Sequence, residues 1–279
     1  MEYSHSLTPE IVIEPSKGWV SLKLGELWQY RELLFFLIWR DVKVQYKQAS
    51  LGVAWAILQP LLTMVIFSVI FGHLAKLPSE GIPYPVFSYV ALLPWQLFSS
   101  TLTRSTSSLV GNANLLTKIY FPRLIIPFSA TISGLVDFSV SFVVLLGLMA
   151  YYGIAPTFAI LWLPLLVLFV LLTALSVGLW LSALNVQYRD VQHVIPFLIQ
   201  AWMFASPIVY SAELIPGGLW RIAYGLNPLV GVIQSFRWIL LEGKRPDELM
   251  VMSVGIVALL LITGLFYFKR MEKTFADVV

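Results

Sequence analysis

Long uncharged runs separated by short charged connectors are the dominant pattern of this chain. Residues 51–72 and 81–103 contain no Asp, Glu, Lys or Arg, and residues 138–188 stay uncharged for 51 positions. A helix crosses a hydrocarbon layer of about 30 Å with about 20 apolar residues. The 51-residue run is therefore too long for one crossing, and "YYGIAPT" supplies a turn within it at Gly153 and Pro156. The pattern predicts six spans, at about 51–72, 86–110, 124–152, 159–186, 191–212 and 249–269. Between the last two, residues 213–248 are interrupted by Pro216, Gly217, Gly218, Pro228 and Pro246. The uncharged pieces there are too short to cross, so two short re-entrant or interfacial helices are expected within 213–241. The predicted class is an all-α integral membrane protein: a tail with an interfacial helix over 1–50, a six-helix domain over 51–269 and a second tail over 270–279.

Composition sharpens this picture. The chain is 58% hydrophobic and 12% charged, against roughly a quarter charged in soluble domains. It contains no cysteine, which excludes disulfides and thiolate metal sites. Residues 1–50 hold much of the charge and lack the basic, apolar, small-residue order of a cleaved leader, so the N-terminus is expected to be retained. A formal charge of +3 is too small to argue for nucleic acid. Its distribution says more: with both ends inside, thirteen of the eighteen Lys and Arg residues fall in inner segments. That orientation puts "NANLLTKIYFPR", residues 112–123, on the cytoplasmic side between spans two and three.

Four segments carry candidate chemistry. In "GELWQYRELLFFLIWRDVKVQYKQASLG", Leu27, Leu34, Ile38, Trp28 and Trp39 alternate with charged residues, as in a helix lying in the headgroup layer. It reads either as a plain surface anchor or as the mouth of a site where Arg40, Lys43 and Lys47 meet an anionic lipid headgroup; each cation there adds about 1 kcal/mol of attraction. In span one, Trp55, Gln59 and Thr63 share a helical stripe beside Pro60. The stripe faces a polar conduit, or else Gln59 caps the carbonyl that Pro60 leaves unpaired. In span five, His193, Pro196, Gln200, Phe204, Pro207 and Ser211 fall roughly on one face, a second stripe of the same chemistry. In residues 112–123, a short helix has Leu115, Leu116 and Ile119 on an apolar face and Lys118 on a polar one, suited to the bilayer surface or to a groove on another protein.

Asp137 is the one acidic residue deep in a predicted span. It lies about 20 Å from Leu124 and Arg104 only about 9 Å from the inner end of its own helix, which argues against a direct pair. A helix-packing contact, with the carboxyl protonated or bonded to hydroxyls, is expected instead. A lone intramembrane acid also weakens a proton-coupled carrier. No G-x-x-x-x-G-K-[ST] loop is present; "EGKRPD" lacks the upstream Gly and the following hydroxyl. His5, His73 and His193 are scattered without metal spacing, and no Ser/His/Asp grouping suggests hydrolysis. The chain is read as having no catalytic residues, no bound metal and no cofactor of its own.

In "RDVKVQYKQASLGVAWAILQPLL", "NANLLTKIYFPRLIIPF", "NVQYRDVQHVIPFLIQAWMFASPIVY" and "LNPLVGVIQSFRW", in that order, the sequence resembles the permease subunits of ABC exporters for lipid-linked polysaccharides, above all O-antigen exporters, with capsule and teichoic acid exporters as relatives. The resemblance runs over nearly the whole chain. It implies a homodimer working with two copies of a separate ATPase that binds ATP and Mg, in a bacterial inner membrane, with undecaprenyl-linked O-antigen as cargo.

By position, residues 112–121 match the family's coupling helix, with Asn114, Leu115, Leu116, Lys118, Ile119 and Tyr120 toward the ATPase. Residues 26–39 match its interfacial helix, and Leu51 and Gly52 the loop where cargo is admitted. Residues 213–241 match a pair of outer gate helices, with Pro216, Asn227 and Pro228 at their joints. A sugar chain slides along aromatics and amides carrying few fixed charges, because no single contact holds it strongly. Trp55, Gln59, Thr63, Gln200, Trp202, Phe204 and Tyr210 are the expected lining. Arg40, Lys43, Lys47 and Arg123 are the cations available to a lipid diphosphate. A small-molecule exporter of the same architecture and a secondary carrier are the competing classes.

Overall fold

The computed structural model describes residues 24–47, 52–188, 190–243, 245 and 248–275. Leu51, Lys17, Lys23, Arg189 and Lys244 lie outside them. Every regular element among the described residues is helical.

Two helices precede the bundle, α1 (Leu24–Gln29) and α2 (Arg31–Lys47). They are followed by α3 (Gly52–Phe67), which passes into a π-helical turn over Ser68–Leu74, and by α4 (Tyr84–Gly111). The short α5 (Ala113–Lys118) leads to α6 (Ile125–Tyr151) and α7 (Leu163–Gln187). Then come α8 (Val191–Phe204), α9 (Leu219–Gly225), α10 (Pro228–Leu241) and α11 (Glu248–Met271). Among the described residues, four stretches, 54–74, 125–151, 158–187 and 248–274, are long and apolar enough to cross a membrane. At 28 residues α4 spans about 42 Å, with Arg104 and a run of hydroxyls lowering its hydropathy.

The centre of the bundle is α4, which packs along α6 and α7 and also touches α3, α8 and α10. Small residues permit the close approach. An added Cβ on Gly134 of α6 would stand 2.5 Å from Thr101 Oγ1, and one on Gly178 of α7 would stand 2.6 Å from Ser105 Oγ. Close backbone approach of this kind is how helices associate where lipid removes the ordinary hydrophobic drive. At one end, Leu37, Leu109, Leu116, Phe121, Phe268 and Phe275 close the bundle; this is called the α5 end. At the other, α10 is buried against α4, α7 and α11.

Local sequence explains the breaks. Gly153 takes φ +70° after α6, and Pro164 occupies the first turn of α7, so the turn expected at "YYGIAPT" forms. Gly218 takes φ +80° ahead of α9, and Pro228 opens α10. The fifth hydrophobic run differs from expectation: α8 has 14 residues, about 21 Å, and ends at Phe204. Residues 205–210 continue as non-helical turns, with the Ser206 backbone N–H donating to the Met203 carbonyl and that of Ile208 to the Ser206 carbonyl. Pro207 has no N–H with which to extend the helix. The stripe through His193, Pro196, Gln200 and Phe204 therefore does not continue to Pro207 and Ser211, which are buried in the turn.

Candidate functional site: a polar groove along α3, α4 and α6

A cavity of about 960 Å³ lies between α3, α4, α6 and α8, with the end of α2 at its edge. Trp55, Ala56, Gln59 and Pro60 of α3 form one wall. Gln96, Ser99, Ser100, Thr103 and Arg104 of α4 form another, while Asp137, Phe138 and Ser141 come from α6 and Pro196 and Ile199 from α8. Trp55 is 54% exposed, so the groove is open at its α3 wall.

The carbonyl freed by Pro60 is that of Ala56, four residues earlier. Ser141 Oγ donates to it at 3.3 Å from the neighbouring helix, so Gln59 is not its cap. Thr63 Oγ1 donates to the Gln59 backbone carbonyl at 2.8 Å, and the Gln59 side chain lines the groove.

At the α5 end of the groove a polar cluster ties three helices together. Arg104 and Asp137 form a direct ion pair, with Nη2 of the guanidinium on Oδ2. The expectation that they would stay apart is corrected here. It assumed that the Gly111 end of α4 and the Ile125 end of α6 lie level, which the connecting residues 112–124 do not require, and it neglected the length of the arginine arm. Gln45 of α2 donates through Nε2 to Oδ1 at 2.9 Å and to Oδ2 at 3.1 Å, while Arg104 Nη1 donates to Gln45 Oε1 at 2.9 Å. The Tyr46 hydroxyl donates to Asp137 Oδ1. Burial, and then that hydrogen bond, push the Tyr46 hydroxyl well above its ordinary pKa, so it remains a donor. One carboxylate thus accepts from an arginine, an amide and a phenol. Bonding to a hydroxyl was expected of Asp137; the arginine was not.

Three of the four basic residues nominated for a headgroup have other partners. Arg40 donates to the carboxylate of its neighbour Asp41, from Nε at 3.0 Å and Nη2 at 2.7 Å. Lys43 Nζ stands 4.2 Å from the centroid of Trp39. Arg123 holds the start of α6 to the C-terminal turn, with its backbone N–H on Glu272 Oε1 at 3.1 Å and its guanidinium on the Glu272 carbonyl. Lys47 is exposed at the end of α2, and Gly52 is the first residue of α3.

The aromatic set divides. Of the seven expected lining residues, Trp55 and Gln59 face the groove. Gln200 and Phe204 are exposed on α8, and Thr63 is half-buried. Trp202 turns inward: its ring meets Phe98 edge-on at 5.0 Å, and its indole N–H bonds Asn227. Tyr210 accepts from the Tyr224 hydroxyl at 3.1 Å and donates to the Phe204 carbonyl at 3.3 Å.

Asn227 sits at the α9–α10 joint. Its Oδ1 caps α10 by accepting from the Leu229 backbone N–H at 3.0 Å, and its Nδ2 donates to Ala205 O at 3.1 Å and Ser206 Oγ at 2.9 Å. Pro216 is exposed ahead of α9. Further along α10 stands Arg237, one of the five Lys and Arg residues that the charge distribution leaves on the outer side. Arg237 is 4% exposed, donates to the carbonyls of Tyr210 at 3.3 Å and Ile208 at 3.1 Å, and lies 3.6 Å over the Phe87 ring. The sequence signal was an arginine inside the apolar run "VGVIQSFRWILL".

At the α5 end the expected apolar face also divides. Leu116 is 5% exposed and packs into its own bundle, with Leu115 partly so. Ile119 and Tyr120 lie past the helix and are 57% and 74% exposed, beside exposed Asn114 and Lys118.

Comparison with known proteins then decides the class. A profile described as "ABC-2 type transporter" matches residues 32–241. The chain belongs to the ABC-2 type transporter family. It is 33% identical over 257 residues to an O-antigen export system permease protein, RfbA, of Myxococcus xanthus, covering 91% of this chain and 98% of that one. An RfbA of Klebsiella pneumoniae is 30% identical over 250 residues, covering 89% and 95%. KpsM of Escherichia coli, a polysialic acid transport protein, is 28% identical over 243 residues, covering 85% and 92%. The family match takes in α3 to α10, and so the groove, α5 and the Asn227 joint together. This is a membrane transporter permease with several apolar helices.

Proposed function

We propose that this chain is the membrane-spanning permease of an ATP-driven exporter of lipid-linked polysaccharide, with undecaprenyl-linked O-antigen as the cargo class. The single observation that carries the reading is the open groove. The Gln59 and Gln96 amides stand beside the Arg104–Asp137 pair along one side of the bundle, where lipid would leave those amides without partners. A second copy facing the first closes the groove into a bore lined by amides, hydroxyls and aromatic rings, a surface on which sugar hydroxyls and C–H faces both find weak contacts.

The full reading has six spans, both ends cytoplasmic, in a bacterial inner membrane. In it α8 and the turn after it make the fifth crossing, and α9 and α10 form an outer gate. Asn114, Leu115, Lys118, Ile119 and Tyr120 present the α5 end to a separate ATPase, two copies per dimer, which binds ATP and Mg; the permease itself holds no cofactor and makes no bond. Nucleic acid has no place in this scheme. The similarity to KpsM supports capsule polymer as a second cargo class, with teichoic acid and small-molecule export as remaining alternatives.

Reconstitution of the chain with its ATPase in proteoliposomes tests the reading. Labelled polymer should move only when the ATPase is active, and movement driven by the purified chain alone would refute it.

A further inference from the structure

Among the described residues lining the groove, Arg104 is the one cation. Its partner Asp137 is held independently by Gln45 Nε2 at 2.9 Å and by the Tyr46 hydroxyl. The side chains of the pair are 26% and 21% exposed, so the groove reaches both. If the guanidinium turns to another anion, the carboxylate keeps two neutral donors and is not stranded, which removes much of the usual cost of breaking a partly buried pair. Arg40, Lys43 and Arg123, by contrast, are occupied outside the groove.

We propose that Arg104 is an exchangeable oxyanion-binding residue of the conduit, which rests on Asp137 and transfers its guanidinium to an oxyanion carried by the cargo. The planar fork of an arginine suits a phosphate or carboxylate, and both present the same pair of oxygens. Competition from Asp137 keeps the site weak, and a conduit requires that an occupant can also leave. The exchange frees one of the bonds to Gln45, so occupation of the groove loosens the end of α2. The inference rests on the conduit reading above and names the ligand chemistry of its α5 end.

The test is equilibrium binding to the purified chain in nanodiscs, with radiolabelled farnesyl diphosphate as a lipid-borne phosphate and an oligomer of sialic acid as a sugar-borne carboxylate. At least one probe should bind. Arg104→Gln should weaken that binding at least tenfold and reduce its salt dependence, while Asp137→Asn, which removes the competitor, should tighten it several-fold. The probe that responds identifies the source of the oxyanion. Opposite signs for two substitutions in one ion pair are not produced by loss of packing. Failure of both probes to bind, an unchanged affinity in Arg104→Gln, or weakening by both substitutions would overturn the proposal. Polymer export by Trp55→Ala separates the two levels: if export falls there while Arg104→Gln binds normally, the conduit stands and the exchange site does not; if export is normal, the conduit reading itself fails.

Discussion

The indole N–H of Trp202 donates to Oδ1 of Asn227 at 2.8 Å, tying α8, which borders the groove, to the joint between α9 and α10. Asn227 is saturated, because the same oxygen caps α10 and its NH2 group serves Ala205 and Ser206. Asn227→Ala should cost about 1–2 kcal/mol, as loss of a helix cap does, and should leave the Trp202 N–H unpaired. Trp202→Phe removes one donor and should cost less. Thermal unfolding in detergent checks the order, and hydrogen exchange over 219–241 should quicken most in Asn227→Ala.

Arg237 offers a sharper contrast. It joins the Ile208 and Tyr210 carbonyls while lying on Phe87, a geometry that needs a flat cation with several donors. Arg237→Lys keeps the charge but not the fork, and should destabilise by about 2–3 kcal/mol. A melting temperature equal to the parent would mean that the three contacts are incidental.

At the α5 end, burial decides which substitutions report on docking. Leu116→Asp places a carboxylate in a packed apolar cluster and should cost about 4 kcal/mol or more, so a loss of folded protein is expected and not a clean loss of coupling. Ile119→Asp and Tyr120→Asp alter exposed side chains. These variants should purify normally, yet stimulate the partner ATPase less and export less polymer. Unchanged export in both would remove this surface from the docking site.

Within the groove, two substitutions separate function from packing. Trp55→Ala should slow export several-fold without changing the melting temperature, because the ring is half-exposed. Ser141→Ala should lower stability by about 1 kcal/mol by leaving the Ala56 carbonyl unpaired, with little effect on flux. The reverse assignment of effects would turn Trp55 into a packing residue and remove the conduit reading.

Helices and breaks were legible wherever backbone chemistry sets them. Gly153, Gly218 and Pro228 mark turns that form where they were expected, because positive φ and a missing N–H act locally. The end of α8 was signalled by Pro207 but was masked by the apolar residues on either side of it. Facing was legible only in part. Trp55 and Gln59 of the first stripe lie on the groove and Thr63 does not, while Trp202 and Leu116 turn inward, since the partner of an apolar side chain depends on how neighbouring helices are placed. The Arg104–Asp137 pair was hidden for the same reason: distance along two separate helices does not give their relative height. Gln45 and Tyr46 gave no sign, because nothing local links them to a residue about ninety positions away.

The absence of cysteine makes a direct test of the conduit possible, since any single cysteine introduced is the only thiol on the chain. With the polymer arrested in the complex by an inactive ATPase, cysteines at positions 55, 59 and 100 should react with a water-soluble maleimide when cargo is absent and be protected when it is arrested. Thiols at these positions that stay unreactive throughout, or that react equally with and without arrested polymer, would contradict a polysaccharide path along this groove.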